Sequence, residues 1–583
     1  MASLWVTAIF GAAFTVTVAT SLGFVLLKRL RLQFCRTEAA LLAFLAGSAC
    51  LSLAVFFLCL VRLAKPEGFA LLGGAAIGFA LWDTRNQPAR VELPPLSVPW
   101  RLLFGVIFLA FLLCYFVNGL APEVSPDGSG YHLGNVARYA RNSGFAWDFH
   151  SIYASLSQGM EMLFLFAFTF GKHSAAALVE VAFQAALPLL MVCYGRRFGL
   201  PRVGAFAAIL VYACPVVGIT GSSAYIDVSV ATLLFAVFYL LQATDSINNL
   251  NLLILIGLLA GFCHSVKYTA GIVLPFAAGF VLWRRGARRI PLLLVGASIL
   301  IIPWILRDWI WLGNPFAPFM NHWFRNPYWT DSMERNYLSG LFRYPMVKSH
   351  LQLFLQLTVK GGLVPGFVGP VFLLLPLSLL ALRHSQGRRL LLAGVIFAMP
   401  AWLNTEVRFL IPAIPFFALA LGVALGNSWG VLPALALFHA VLSWPAVMNL
   451  YCDSNAWRIR GFPVRAALRL EPESAYIAAH IGDYDLKAHI EQAVPLGERI
   501  FSFAGRPAAY LDRDIVVGYE SSFGERIGQL LNQRDTREVK AMGIRYLLIN
   551  DSDGVAASME SDPNSWYITR LAGANGTNFY RIE

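Results

Sequence analysis

Apolar residues in this chain gather into runs of about 14 to 25, separated by short polar stretches, and runs near the upper end of that range can cross hydrocarbon as helices. The runs at 4–27, 38–61, 69–82, 102–120, 175–194, 203–220, 226–242, 250–264, 270–283, 290–312, 363–382, 390–403, 409–425 and 431–450 predict about fourteen spans. Helices are the expected form, because irregular backbone facing lipid would leave its amides unpaired. The stretch 145–170, with Trp147, Phe149, Tyr153, Met160 and Met162, and the stretch 349–359 are expected to lie along the membrane interface. Residues 1–27 have no basic segment ahead of their apolar core, so they are read as a first span rather than a cleaved signal.

Beyond Leu450 the pattern changes. Short strand-like pieces at 499–503, 515–517 and 545–549 alternate with helical patterns at 473–481 and 523–532, and 566–581 predicts a closing hairpin around Gly573 to Gly576. The expected organisation is three extra spans in 1–100, a transmembrane core in 101–450 with large loops at 121–174 and 313–362, and an α/β domain in 451–583. The fold class is thus a polytopic α-helical membrane protein with a C-terminal extracytoplasmic α/β domain.

Composition agrees: of 583 residues 57% are hydrophobic and 13% charged. The formal charge of +12 does not point to nucleic acid, because 451–583 holds 15 basic and 18 acidic residues, leaving 30 against 15 in the rest. The excess sits in short loops: Lys28, Arg29, Arg31 and Arg36; Arg85, Arg90 and Arg101; Arg196, Arg197 and Arg202; Arg284, Arg285, Arg288 and Arg289; Arg383, Arg388 and Arg389. These clusters occupy alternate loops, which places them together on the cytoplasmic side of a plasma membrane. Both termini and the long, chemically varied loops then fall outside. The eight cysteines show neither a disulfide framework nor zinc spacing. Asn575-Gly576-Thr577 matches a glycosylation sequon that matters only in a glycosylating host.

Ionisable residues at the outer ends of spans are costly, and so tend to be paired or functional. Asp127, Tyr131 and His132 lie in Ser125-Pro126-Asp127-Gly128-Ser129-Gly130-Tyr131-His132, Asp227 opens a span, and Lys267 and Tyr268 join two others. Arg307 and Asp308 close a span ahead of Gly313-Asn314-Pro315-Phe316, and Arg408 lies in Glu406-Val407-Arg408-Phe409-Leu410-Ile411-Pro412. Each has a plain structural account: a turn or helix-start carboxylate for Asp127 and Asp227, snorkelling for Lys267 and Arg307, a Glu406 partner for Arg408. Their shared side is what suits an anionic lipid headgroup beside a proton acceptor.

In order and common side, these motifs resemble the GT-C superfamily of polyprenyl-phosphate-sugar-dependent membrane glycosyltransferases, specifically the bacterial branch related to protein O-mannosyltransferases and lipid A aminoarabinose transferases. The resemblance covers most of the chain after Leu102. It implies a catalytic base at Asp127, inversion at the anomeric carbon, a polyprenyl-phosphate sugar as donor, and an acceptor that is a glycan, lipid or protein. Lys267, Arg307 and Arg408 would hold the departing phosphate, with Asp227, Tyr131, His132 and Tyr268 orienting substrate. Where that family often carries an Asp-Glu pair, this chain has Gly128 after Asp127. No metal is expected to be obligatory, although Asp127, His132 and Asp227 leave room for a divalent cation. A transporter or flippase of lipid-linked sugars, or an oligosaccharide polymerase or ligase, is the alternative.

Overall fold

The computed structural model describes residues 2–83, 91–146, 150–245, 247, 249–341, 347–404, 406–426, 430–454, 456 and 461–583. Arg85, Arg90, Trp147, Phe149 and Thr405 lie outside the described residues.

The first twelve α-helices are α1 (Ala2–Arg29), α2 (Arg36–Leu60), α3 (Pro66–Asp83), α4 (Val98–Leu120), α5 (Leu133–Asn142), α6 (Gly159–Arg197), α7 (Pro201–Tyr212), α8 (Pro215–Gly221), α9 (Asp227–Ala243), α10 (Asn251–Val266), α11 (Val273–Arg285) and α12 (Ile290–Leu312). Among the described residues five helices are long and apolar enough to cross a membrane, or six if the pair α7 and α8 counts as one. That is well short of the expected fourteen. The other apolar helices, including α9, α10, Pro370–Arg383, Ile414–Leu425 and Val431–Leu442, run to 10–17 residues. Proline is one reason: Pro215 cannot donate its amide, and the expected span 203–220 bends by 66° there.

A lipid-like surroundings is written on α4, where Leu102, Val106, Leu109 and Leu113 form one exposed stripe while Phe111 and Tyr115 are buried. Helices α1 and α2 cross closely, since a Cβ on Gly23 would meet the Ala43 backbone and one on Gly47 the Ala19 backbone.

The expected interfacial stretch 145–170 is corrected in its second half. Residues 160–168 are buried in the first part of α6, packed on α1 and α2. A segment apolar all round has no wet face to present, and such a helix belongs inside a bundle. The helix breaks at Lys172, whose φ is 57°, before continuing through Arg197.

The basic clusters converge on one end. Lys28 pairs with Asp83 at 2.9 Å, Arg197 with the buried Glu38 at 2.6 Å and Arg284 with Asp245 at 2.5 Å, while Arg196 donates to the Leu93 and Pro94 carbonyls. Asp127, Asp227, Lys267 and Arg408 meet at the opposite ends of these helices.

At that second end sits a five-stranded sheet, β1 (Arg499–Ser502), β2 (Asp514–Val517), β3 (Ile544–Asn550), β4 (Ile568–Ala574) and β5 (Thr577–Ile582), in the order β2-β1-β3-β5-β4. Strands β1, β2 and β3 are parallel, and β5 runs antiparallel to β3 and β4. Alternation sends Phe501 and Leu547 to one face and Ile500 and Leu548 to the other, so each face has its own core. The β4–β5 turn uses Asn575 and Gly576, both at positive φ, as a two-residue hairpin requires. Tyr510 donates to the Glu123 carbonyl at 2.7 Å, Arg138 pairs with Asp514 at 3.3 Å, and the Ser522 amide donates to the Tyr328 carbonyl at 2.8 Å. The sheet is thereby tied to the loops around Asp127.

Candidate active site

Helix α4 ends at Leu120, and Pro122 stops it from continuing. The following segment is fixed by Glu123, whose carboxylate accepts from the Ser125 amide at 2.7 Å and from the Ala224 amide at 2.6 Å. This joins the loop before Asp127 to the loop before Asp227. Asp127 then leads a single π-helical turn, Gly128–His132, into α5. The turn directs Tyr131 back onto Asp127, its hydroxyl donating to Oδ2 at 3.1 Å.

Arg408 comes from the 3-10 turn Val407–Leu410. Its Nη1 lies 2.5 Å from Asp127 Oδ2, its Nε lies 2.6 Å from Glu406 Oε2, and its guanidinium covers the rings of Tyr225 and Phe409. Burial raises the pKa of the Asp127 carboxyl, but the Arg408 guanidinium, aided by His132, outweighs it and holds the group below its ordinary value. Burial and the Asp127 charge push the Tyr131 phenol up, so it stays a donor.

Asp227, in the first turn of α9, faces Lys267 at 2.5 Å. The Lys267 ammonium lies 4.2 Å from the centre of the Phe409 ring, which also carries Arg408, so the two ion pairs share one aromatic wall. His132 turns inward, with Nδ1 2.7 Å from Glu161 Oε1 and both side chains buried.

Two of the sequence candidates are placed elsewhere. Arg307 is 1% exposed, lies 2.6 Å from Asp308, donates to the Ser155 and Leu156 carbonyls at 3.2 and 3.0 Å, and stacks on Trp304. Its contacts brace the segment after Ser151. Tyr268 joins this group, donating to the Ala317 carbonyl at 3.1 Å and lying 3.4 Å from Asp308 Oδ2. The cluster at Asp127 therefore contains Tyr131, His132, Asp227, Lys267 and Arg408, while Arg307 and Tyr268 form a second, more buried group.

Sequence reading passed over Glu161, Tyr153 and Glu520. Tyr153 stacks on Tyr131 with ring centres 3.8 Å apart and planes 8° from parallel. Glu161 had a signal, a lone carboxylate between Met160 and Met162 in an apolar run. Glu520 had none.

Among the described residues no three His, Cys, Asp or Glu side chains gather as a cation site. Asp127, His132 and Asp227 each face a different partner, an arginine, a glutamate and a lysine.

A cavity of about 430 Å³ opens beside Asp127 between the Gly128–His132 turn, α5 and the sheet. A larger hollow of about 750 Å³ lies across the 124–126 segment, against Asn118, Ser222 and Phe462.

Residues 162–311 match the family model described as dolichyl-phosphate-mannose-protein mannosyltransferase. The fold is similar to the crystal structure of ArnT from Cupriavidus metallidurans bound to undecaprenyl phosphate, with a TM-score of 0.50 and 15% identity over 84% of this chain and 98% of that one. The same protein in the apo state gives 0.50 and 14% over 83% and 98%. Archaeal oligosaccharyltransferase AglB from Archaeoglobus fulgidus, in complex with an inhibitory peptide and a dolichol-phosphate, gives 0.43 and 11% over 81% and 71%. No curated protein matches the chain. The matched segment covers about a quarter of the chain, and the likeness to ArnT is one of fold.

Proposed function

We propose that this protein moves a sugar from a polyprenyl-phosphate donor to an acceptor hydroxyl at the outer face of a bacterial plasma membrane, with Asp127 as general base. The observation that carries the reading is the ion pair between Asp127 and Arg408, near the pair of Asp227 and Lys267, with Asp127 lining a cavity. The acceptor oxygen attacks the anomeric carbon, the bond from that carbon to the phosphate oxygen breaks, and the hydroxyl proton passes to Asp127. The lipid leaves as a polyprenyl phosphate, and one displacement inverts the anomeric centre.

Arg408 has two tasks in this scheme. While it holds Asp127, the carboxylate is a weak base, because its pKa is depressed. A donor phosphate competes for the same guanidinium, which matches phosphate geometry. Drawing Arg408 toward the phosphate both stabilises the leaving group and frees the carboxylate to accept a proton. Lys267 adds positive charge, and Tyr131, His132 and Asp227 position the substrates. The scheme requires no metal, since Arg408 and Lys267 supply positive charge at the phosphate.

The orientation rests on the basic clusters at the far end, which favour the cytoplasm. The test is radiolabel transfer in proteoliposomes from undecaprenyl-monophosphate mannose and from an undecaprenyl-diphosphate glycan. Transfer from the monophosphate donor supports the reading. Transfer from the diphosphate donor alone identifies a polymerase or ligase, and movement of label across the bilayer without transfer identifies a flippase.

A further inference from the structure

We propose that the 430 Å³ cavity between Asp127 and the carboxyl ends of β1 and β2 is the acceptor subsite, that Glu520 holds the acceptor there, and that the acceptor is a polyhydroxylated glycan, neutral or amino-bearing. The proposal rests on the reading of Asp127 as the base.

Strands β1 and β2 are parallel neighbours, and β2 also lines the cavity along its length, from Asp514 to Val517. The loops that follow them, 503–508 and 518–521, wall the cavity opposite Asp127. The crevice beyond the carboxyl ends of parallel strands is where sheets of this kind bind ligands, because the loops there converge and can vary without disturbing the core. The volume is that of a small-molecule site.

The lining decides the chemistry. Four arginines border the cavity, and each is already engaged. Arg138 and Arg141 face Asp514, Arg506 lies among Ser502, Asp483 and Asn550, and Arg513 donates to the Glu491 and Val494 carbonyls. A phosphate or carboxylate entering here would have to displace these partners while facing the carboxyls of Asp127 and Glu520. A hydroxyl-rich ligand meets no such barrier, since both carboxyls accept from hydroxyls.

Glu520 is 8% exposed and hydrogen-bonds Ser151. Burial raises its carboxyl to about 7, so near neutrality it can donate to a sugar oxygen or accept from a hydroxyl or ammonium. Tyr153 stands within electrostatic reach of both Glu520 and Asp127, and Tyr519 extends the aromatic wall. Carboxyls beside tyrosine rings suit the mixed polar and apolar faces of a sugar.

The test reads binding without turnover. Full-length protein in nanodiscs is titrated by saturation-transfer NMR with maltose, glucosamine, inorganic phosphate and an Ala-Ser-Thr-Ala peptide. Maltose and glucosamine should bind the wild type. Glu520→Ala should weaken both by about tenfold or more, the loss of a hydrogen bond to a charged or strongly polar group. Glu520→Gln, which keeps the shape and hydrogen-bonding capacity, should retain maltose and lose any preference for glucosamine. Absence of sugar binding to the wild type, equal binding to a folded Glu520→Ala protein, or binding of phosphate or peptide that this substitution abolishes would overturn the proposal. An incorrect base assignment would instead appear in the transfer assay and leave these titrations unchanged.

Discussion

Arg408 Nη1 lies 2.5 Å from Asp127 Oδ2, joining residues 281 positions apart in the chain. The contact sets the protonation of the carboxylate, because without the cation the burial of Asp127 would raise its pKa rather than lower it.

Removing the cation therefore moves the pH dependence in a definite direction. Asp127 is depressed below its ordinary 3.8, so the wild type keeps an ionised base throughout the neutral range and loses it only in strong acid. In Arg408→Gln the acid limb of the transfer rate should move upward, because burial then acts on Asp127 without the opposing cation. Arg408→Lys, which keeps the charge and loses the planar fork, should shift the limb less while weakening donor binding. A pH profile of kcat/KM for the donor, which reports the enzyme before donor binds, reads both.

Lys267 and Asp227 form a pair whose carboxylate is 3% exposed. Lys267→Met leaves that carboxylate buried without a partner and should cost about 3–5 kcal/mol of stability. The double variant Asp227→Asn, Lys267→Met should recover much of the loss in thermal unfolding, yet show a raised KM for the polyprenyl-phosphate donor. Recovery of donor KM along with stability would make the pair purely structural.

Glu161 and His132 should behave as a unit. Each of Glu161→Gln and His132→Gln should lower turnover, and the double variant should be no worse than the poorer single one, with a coupling energy of about 0.5–3 kcal/mol. A double-mutant cycle on kcat/KM measures this, and additive losses would show that the two act independently.

Much of the site was legible because ionisable groups at the ends of apolar runs are conspicuous. Asp127, Asp227, Lys267 and Arg408 all stood out that way, and all four meet. What the sequence withheld was pairing. Arg307 looked like Lys267 from its position at a span end, but packing turned it inward onto Asp308 and two carbonyls. Arg408 does lie against Glu406, as a local reading suggests, and also against Asp127, which no local reading supplies. The strands after Leu450 were visible through alternation and turn residues, as at Asn575-Gly576. The helices of the bundle were harder, since Pro215 divides one apolar run and the all-round apolar segment before Lys172 resembled an interfacial stretch. Glu520 was invisible because its role comes only from the placement of a strand end beside a distant loop.

Arg307 yields a contrasting prediction. Arg307→Met should lower the unfolding temperature, because it strands Asp308 in a buried setting and frees the Ser155 and Leu156 carbonyls. The folded fraction should keep its donor KM. Thermal unfolding paired with donor titration separates this residue from Arg408, and a raised donor KM would place Arg307 at the phosphate after all.

The proposed transfer requires Asp127 to take the acceptor proton. The direct measurement is the single-turnover rate of sugar transfer from undecaprenyl-monophosphate mannose by wild-type, Asp127→Asn and Asp127→Glu proteins, all shown to bind the donor. Asp127→Asn should fall by about 10²–10⁴-fold with donor binding retained, while Asp127→Glu keeps a measurable part of the rate. Transfer by Asp127→Asn at the wild-type rate would contradict it.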